Sequence, residues 1–436
     1  MKSSLPKVLH RLAGKPLLEH VLNTARQLQP ECIHIVYGHG GDAVKSQLDA
    51  EDIQWVYQQE QLGTGHAVQL ALDNISDNQR VCIQYGDVPL LTVGTLSSLL
   101  QKGDSLGVLT ANVADPTGYG RMIRDSAGRL RAIVEDRDAD SEQQQIREIN
   151  TGIMVGNAGL IKKLLGQVGS NNDQGEAYLT DIIAMAAESG VLIYDFTTNS
   201  EIEITGINDK VQLAAMERIR QQQIAEELMR SGVTLYDPAR LDVRGDLICG
   251  RDVEIDINCL VEGRVELADG VIIGPNVCLK DCVIGANTTI KANCVIEEGV
   301  IGAHSIIGPF ARLRPGARLD ESVHIGNFVE IKNSEIAEGA KVNHLSYIGD
   351  SYIGKRVNIG AGTITCNYDG AAKHKTIIQD DAFIGSGTEL VAPIQVGKGA
   401  TIGAGSTLSS DIDDGVLVVE RSKARTIKDW QRPKKK

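Results

Sequence analysis

No Cys-x-x-Cys pair occurs among the eight cysteines, and the nearest two, Cys278 and Cys282, are spaced by three residues. Reduced thiols packed as small apolar side chains are therefore the expectation. Long apolar runs are also missing. None approaches membrane-spanning length, and the N-terminal stretch carries Lys2, Lys7, His10 and Arg11 where a secretory leader needs an apolar segment. A cytoplasmic protein without a membrane partner is expected. Positive charge is in deficit as well: 44 Lys and Arg stand against 57 Asp and Glu, a formal net charge of −13. That balance argues against a nucleic-acid surface.

What is present is a globular composition, 42% hydrophobic and 23% charged, over 436 residues. A chain of this length exceeds one ordinary core, so two large domains are expected. The clearest pattern runs from about Val271 to Leu408, where a branched aliphatic residue returns at a six-residue step. Ile301, Ile307, Leu313, Leu319, Ile325 and Ile331 form an unbroken series; Ile336, Val342 and Ile348 continue it after a five-residue step. Ile378, Ile384, Leu390, Val396, Ile402 and Leu408 follow. Gly302, Gly308, Gly326, Gly349, Gly354, Gly360, Gly385 and Gly403 come after many of these residues, as crowded corners require. Neither a helical period nor strand alternation gives a step of six, whereas a parallel β-helix does: each hexapeptide supplies a short strand and a corner, with the aliphatic residue inside.

The first two hundred residues alternate strand-like and helix-like segments, which predicts an α/β domain with a mainly parallel sheet. Ile33 to Tyr37, Gln54 to Gln58 and Val81 to Tyr85 read as strands. The cluster Gly38-His39-Gly40-Gly41-Asp42 is an ordinary strand-to-helix turn, while Gln61-Leu62-Gly63-Thr64-Gly65-His66-Ala67 places small residues at a helix N-terminus able to approach an anion. Asp87 follows the third strand, where open α/β sheets bind ligands. Position alone leaves a Mg²⁺-holding carboxylate and a turn-capping one equally open. Asn208 to Arg230 reads as one long helix with Val211, Met216, Ile219, Ile224 and Leu228 apolar, and Ser231-Gly232 stops it. The predicted organisation is an α/β domain over 1–207, a linker helix over 208–231 and a hexapeptide-repeat domain over 232–436.

The ordered series Leu5-Pro6-Lys7-Val8-Leu9, Gln61 to His66, Tyr85-Gly86-Asp87, Gly118-Tyr119-Gly120-Arg121, Glu148-Ile149-Asn150-Thr151-Gly152 and Gln174 to Asp181 resembles one bacterial family. The loop Asn358 to Gly370, which interrupts the hexapeptide step, extends the match. That family is the bifunctional N-acetylglucosamine-1-phosphate uridyltransferase/glucosamine-1-phosphate N-acetyltransferase, and the likeness covers essentially the whole chain. It implies a Rossmann-like nucleotidyltransferase domain, a connecting helix and a left-handed parallel β-helix, assembled as a homotrimer. The first domain would join UTP to N-acetylglucosamine 1-phosphate with Mg²⁺. Asp87 and Asn208 match the metal positions and Lys7 a phosphate contact. Gln58, Gly63, Thr64, Tyr85 and Gly86 match the nucleotide side, and Gly120, Glu135 and Asn150 the sugar side.

For the second domain the resemblance implies acetyl transfer from acetyl-CoA to glucosamine 1-phosphate. The amine must lose a proton before it attacks the thioester, so a neutral His suits the role of base. His304, His324, His344 and His374 are all candidates by residue type, and the family match selects His344. Arg314, Lys332, Tyr347 and Asn358 match the acceptor sugar phosphate, a dianion. Ala361, Asn367, Tyr368, Ser386, Ala404 and Arg421 match acetyl-CoA.

One departure stands out. The family's first strand and glycine-rich loop, L-x-x-G-x-G-T-R-M, end where Met1 falls. A sheet without that strand is expected to expose apolar surface and unpaired backbone groups. Either the true start lies upstream of this Met, or the chain is an acetyltransferase whose uridyltransferase site is inactive. Two rivals come from other classes. A hexapeptide-repeat carbonic anhydrase would bind zinc through His304, His324 and His344, but these occupy different phases of the repeat. A non-enzymatic scaffold would need only the aliphatic ladder.

Overall fold

The computed structural model describes every residue except 39, 104, 169–175, 434 and 436. The chain divides into two compact units, Met1–Arg220 and Gln221–Lys436, and the division falls inside the helix Lys210–Arg230. Met216 is buried in the first unit and Leu228 in the second. Gln221 is fixed by a two-way exchange with the Val243 backbone, its Nε2 donating to the carbonyl at 2.7 Å and its Oε1 accepting from the amide at 2.8 Å. Val211, expected on the apolar stripe, is 79% exposed. It lies five residues before Met216, about 140° round the helix from it.

In the first unit the central sheet has six strands, and it is mixed rather than mainly parallel. Ile193–Thr198 runs parallel to Leu106–Asn112, but the ten-residue strand Glu148–Asn157 runs antiparallel to both Leu106–Asn112 and Arg80–Ile83. It also pairs with Arg121–Arg124, whose hairpin partner is Leu130–Val134. A long buried strand shows a near-continuous apolar run whichever way it points, so its direction is not visible in the residue pattern.

Ile33–Tyr37 and Ile53–Tyr57 form a separate parallel pair. Among the described residues Ile33–Tyr37 pairs only with Ile53–Tyr57, and Arg80–Ile83 only with Glu148–Asn157. A cavity of about 1400 Å³ lies against both, lined by Ile33, Ile35, Val81, Ile83, Leu22 and Val68 among others. Every residue of Ile33–Tyr37 is half-buried. Ile33–Tyr37 and Arg80–Ile83 thus each keep one edge without a strand partner among the described residues.

The second unit is a parallel β-helix. Strands stack on their counterparts in the next coil in continuous register, as in Leu313↔Ile331↔Ile348 on one face and Ile325↔Val342↔Ile359 on another. The aliphatic residues anticipated from the six-residue step form one core from Leu228 to Leu408, and Ile307, Leu313, Ile325, Ile331, Val342 and Ile348 have no exposed surface. At the corners two requirements separate. Gly326 is needed for space, because a Cβ there would sit 1.9 Å from the Asn343 carbonyl oxygen. Left-handed backbone is carried mostly by other residues, including Asn258, Asn276, Asn293, Phe310, Phe328 and Leu345. No disulfide forms among the described cysteines, and burial pushes the Cys282 thiol up to about 12.

Candidate active sites

In the first unit, the loop after Arg80–Ile83 is tied to the start of the long helix. The Ile207 amide donates to the Asp87 carbonyl at 3.0 Å, which sets Asn208 beside Asp87. Lys7, at the head of the one-turn helix Lys7–Leu9, donates from Nζ to both Asp87 Oδ2 and Asn208 Oδ1. A carboxylate oxygen and an amide oxygen thus meet around one cationic nitrogen. This donor set suits a hard divalent cation, which Asp87 and Asn208 would hold.

The residues expected on the sugar side also converge. The Asn150 amide donates to the Gly120 carbonyl at 2.8 Å, and Asn150 Oδ1 accepts from the Gly152 amide at 3.0 Å. Gly120 leaves room: a Cβ on it would lie 2.8 Å from Ile133 and 3.5 Å from Glu135 Oε2. Glu135 accepts from the Thr180 hydroxyl at 2.9 Å. Burial raises the Glu135 carboxyl above its ordinary range, the Thr180 bond opposes the rise, and Asp138, Asp181 and Asp136 add to it. Tyr85 is pushed up to about 12, by burial first and then by Glu135 and Asp87, so its phenol stays neutral. Its ring covers Gly152, where a Cβ would be 1.8 Å away. Gly86 is close-packed too, since a Cβ on it would lie 3.2 Å from the Leu18 side chain.

Among the residues expected on the nucleotide side, Gln58 Nε2 donates to the Gly63 carbonyl at 3.2 Å and lies 3.2 Å from His66 Nδ1. Gly63 precedes the helix Thr64–Leu72 with φ +104°, and a Cβ there would strike the Ala177 carbonyl at 2.6 Å. The segment after 175 docks on this turn: Gly65 donates to Ala177 O at 2.8 Å, and Thr64 Oγ1 accepts from the Leu179 amide at 3.1 Å. Gln174 and Gly175 of the motif lie outside the described residues.

In the second unit, Asn327 and His344 occupy equivalent positions in adjacent coils. His344 Nδ1 is 2.9 Å from Asn327 Oδ1. The amide oxygen can only accept, so Nδ1 is the donor of this bond, and in the neutral ring the lone pair then lies on Nε2. Above His344 the backbone climbs one residue per coil: Gly362 donates to His344 O at 3.2 Å, Gly387 to Ala361 O at 2.7 Å and Gly405 to Ser386 O at 2.9 Å. Ala361, Ser386 and Ala404 therefore form a column of small residues continuing from His344. Gly360 and Gly385 make the close stacking possible, because a Cβ on either would be 2.5 Å from the Ser386 or Ala404 amide nitrogen. Asn358 lies on the same face, paired with Lys341 and Phe383.

Arg314, Lys332 and Tyr347 gather on the neighbouring face. Arg314 Nη1 bonds Glu330 Oε1 at 2.8 Å, and Glu330 is paired in register with Tyr347. Asn367, expected on the acetyl-CoA side, lies beside this group: its Nδ2 donates to Asp350 Oδ2 at 2.5 Å and lies 3.5 Å from the Tyr347 hydroxyl. Tyr368 is exposed in the loop and donates to the Gly370 carbonyl at 2.6 Å. Arg421 lies in the exposed segment beyond the last strand, which the Glu420 amide ties to Ser406 Oγ at 3.2 Å.

Two residues escape a reading of the sequence. Lys373, brought back by the loop, approaches Lys332, whose ammonium holds it below the ordinary lysine range. Burial alone would raise Asp350, but hydrogen bonds from Asn333 and Asn367 and the charges of Lys332 and Lys373 bring it below its ordinary value. The only sequence signal for either is the loop's interruption of the six-residue step. As for a zinc centre at His304, His324 and His344, no group of three or more His, Cys, Asp or Glu among the described residues could hold a metal.

Comparison with known proteins agrees with both units. Residues 1–149 match the MobA-like NTP transferase domain, residues 243–325 the GMPPB C-terminal domain, and residues 375–410 six repeats of the bacterial transferase hexapeptide. The chain is 55% identical over 437 residues to the bifunctional protein GlmU of Ralstonia pickettii (strain 12J), covering all of this chain and 96% of that protein. It is 54% identical over 437 residues to the same protein of Azoarcus sp. (strain BH72), covering 97% of it, and 55% identical over 436 residues to that of Dechloromonas aromatica (strain RCB), covering 96%. With this identity along its entire length, the chain belongs to the GlmU family of bifunctional proteins.

Proposed function

We propose that the chain makes UDP-N-acetylglucosamine in two steps, acetyl transfer from acetyl-CoA to glucosamine 1-phosphate followed by uridyl transfer from UTP to the acetylated sugar phosphate. The observation that carries this reading is the convergence of two separate residue sets, Lys7, Asp87 and Asn208 in one unit and the His344 column in the other. The relatives that match the full chain are named bifunctional, and no observation favours an acetyltransferase alone.

In the acetyl transfer, Arg314, Lys332 and Lys373 hold the acceptor phosphate. His344 Nε2 takes a proton from the acceptor amine, whose nitrogen attacks the thioester carbonyl carbon. The C–S bond breaks, and the CoA sulfur leaves as a thiolate that accepts the proton from His344. Ala361, Ser386 and Ala404 provide a smooth corner for the donor because none projects a large side chain.

In the uridyl transfer, a phosphate oxygen of the sugar attacks the α-phosphorus of UTP and pyrophosphate leaves. Asp87 and Asn208 would hold a divalent cation, which we take to be Mg²⁺ and which supplies charge neutralisation on the phosphates. Gly120, Glu135 and Asn150 position the sugar, and Gln58, Gly63 and Thr64 border the nucleotide.

A homotrimer in the cytoplasm completes the proposal. Beside His344 the corner carries Phe310, Phe328 and Leu345 in left-handed backbone, 49%, 55% and 63% exposed, and the two rings stack at 5.3 Å. Bulky residues rarely adopt that conformation, and an exposed apolar row of this kind favours burial against a second copy. Separate assays of CoA release and pyrophosphate release on the 436-residue chain test the function. Absence of CoA release with glucosamine 1-phosphate and acetyl-CoA would sink the acetyltransferase half, and absence of pyrophosphate release the other.

A further inference from the structure

We propose that the Lys7 ammonium is the resident cation of the Asp87–Asn208 site in the free protein, and that a divalent cation binds there only by displacing it. The proposal rests on reading Asp87 and Asn208 as the metal position. Lys7 Nζ contacts Asp87 Oδ2 and Asn208 Oδ1 together, the same two oxygens a metal would take. Two cations at that spacing repel strongly, so they cannot share the pair.

The oxygens do not depend on Lys7 to be near each other. The Ile207 amide is bonded to the Asp87 carbonyl at 3.0 Å, and Asn208 is held from behind by its own amide, which donates to Gln212 Oε1 at 2.7 Å. Gly206 places no side chain against the pair, where a Cβ would stand 3.6 Å from Asp87 Oδ2. The donor pair is therefore set by the backbone, and the ammonium fills it.

Exchange is also mechanically simple. The Lys7 side chain is 35% exposed and that of Asp87 25%, so water and ions reach the pair. The backbone of Lys7 is anchored through Leu9, which is buried and whose amide bonds the Pro6 carbonyl at 3.0 Å. Only the flexible stem has to move. A displaced ammonium without a new partner loses two charge-assisted bonds, whereas a polyphosphate offers it anionic oxygens nearby. Metal and nucleotide should thus bind with positive coupling, each raising the affinity for the other by the same factor.

The test is Mn²⁺ binding to the full chain without nucleotide, followed by electron paramagnetic resonance of the free ion. Lys7→Gln is expected to bind Mn²⁺ about tenfold tighter than the unsubstituted protein, and Lys7→Arg, which keeps a cation in place, to bind it as weakly as the unsubstituted protein. Asp87→Asn should abolish this binding in either background. Unchanged or weaker binding in Lys7→Gln, with Asp87→Asn still abolishing it, overturns the displacement while the metal position stands. Binding that survives Asp87→Asn overturns the metal position and the proposal with it. Circular dichroism melting of each variant separates loss of fold from loss of the site, and a Lys7→Met substitution provides a second neutral side chain should Lys7→Gln fail to fold.

Discussion

The β-helix and the α/β unit solve the problem of strand pairing in opposite ways. In the β-helix each strand finds its partner one coil away, and the residues that line the interior, Leu313, Ile331 and Ile348 for example, are wholly buried. In the α/β unit the strands are far apart in sequence, the pair Ile33–Tyr37 and Ile53–Tyr57 stands apart from the six-stranded sheet, and a cavity lies against the half-buried residues of Ile33–Tyr37. A nearest-neighbour architecture is complete wherever its repeat is complete. A sheet assembled from distant segments concentrates its weakness at one seam.

The sharpest way to separate the two regions is chemical. His344→Ala is expected to lower acetyl transfer about 10²–10⁴-fold, the usual contribution of a general base, while pyrophosphate release stays unchanged. Equal loss in both assays would show that the units are not independent.

Stability should differ next. Truncating Ile348 to Ala in the β-helix leaves a void among fully buried neighbours and should destabilise that unit by about 2–5 kcal/mol. Ile35→Ala, at a half-buried residue lining the cavity, should lower the stability of its own unit by less than about 1.5 kcal/mol, because the site is already partly open. Chemical denaturation followed by tryptophan fluorescence in a Trp430→Phe background, which leaves Trp55 of Ile53–Tyr57 as the one indole, reports the first unit, and far-ultraviolet dichroism reports both. Comparable losses at the two sites would erase the distinction drawn between them.

Smaller effects come from charge. Lys373 is held below the ordinary lysine range by Lys332, so it loses its proton at a lower pH than an ordinary lysine does. The KM for glucosamine 1-phosphate should therefore climb at alkaline pH, and Lys373→Arg should move that limb to higher pH. In the α/β unit Glu135 is raised by burial. A raised carboxyl contributes stability below its unfolded value and loses it as pH passes through the folded one, so Glu135→Gln should stabilise this unit at neutral pH and progressively less toward acid. A stabilisation that grows toward acid, followed by denaturation at several pH values, would reverse the assigned cause.

Much of the β-helix is legible in the sequence because its period is short and its inside residues are chemically uniform. Ile301 through Ile348 can be placed inward from spacing alone. The polar member of the ladder, Thr365, cannot: it is fully buried yet held by the Gly349 amide, which donates to its hydroxyl at 2.8 Å, a partner sixteen residues away. The expected limits of the long helix fall within two residues of its N-terminus, although Val211 faces solvent. In the α/β unit, strand existence is readable and strand direction is not, which is why the antiparallel insertion of Glu148–Asn157 departs from expectation. Lys7, Asp87 and Asn208 enter through the motif match, and their meeting depends on a backbone bond from Ile207 to Asp87 that no local pattern encodes. The same match assigns Asn367 to acetyl-CoA, and no local pattern encodes its hydrogen-bond partners Asp350 and Tyr347.

The column that rises from His344 through Ala361 and Ser386 to Ala404 is also a ruler. Each coil adds one strand spacing, about 4.8 Å, so the three steps measure about 14 Å along the axis. The unit of length is fixed by backbone hydrogen bonding and cannot be stretched by changing side chains. Inserting or deleting one whole coil above His344 would shift the upper marks by a single spacing while leaving the base untouched, and a donor whose arm spans a set length would then carry its reactive carbon past the proton acceptor or stop short of it.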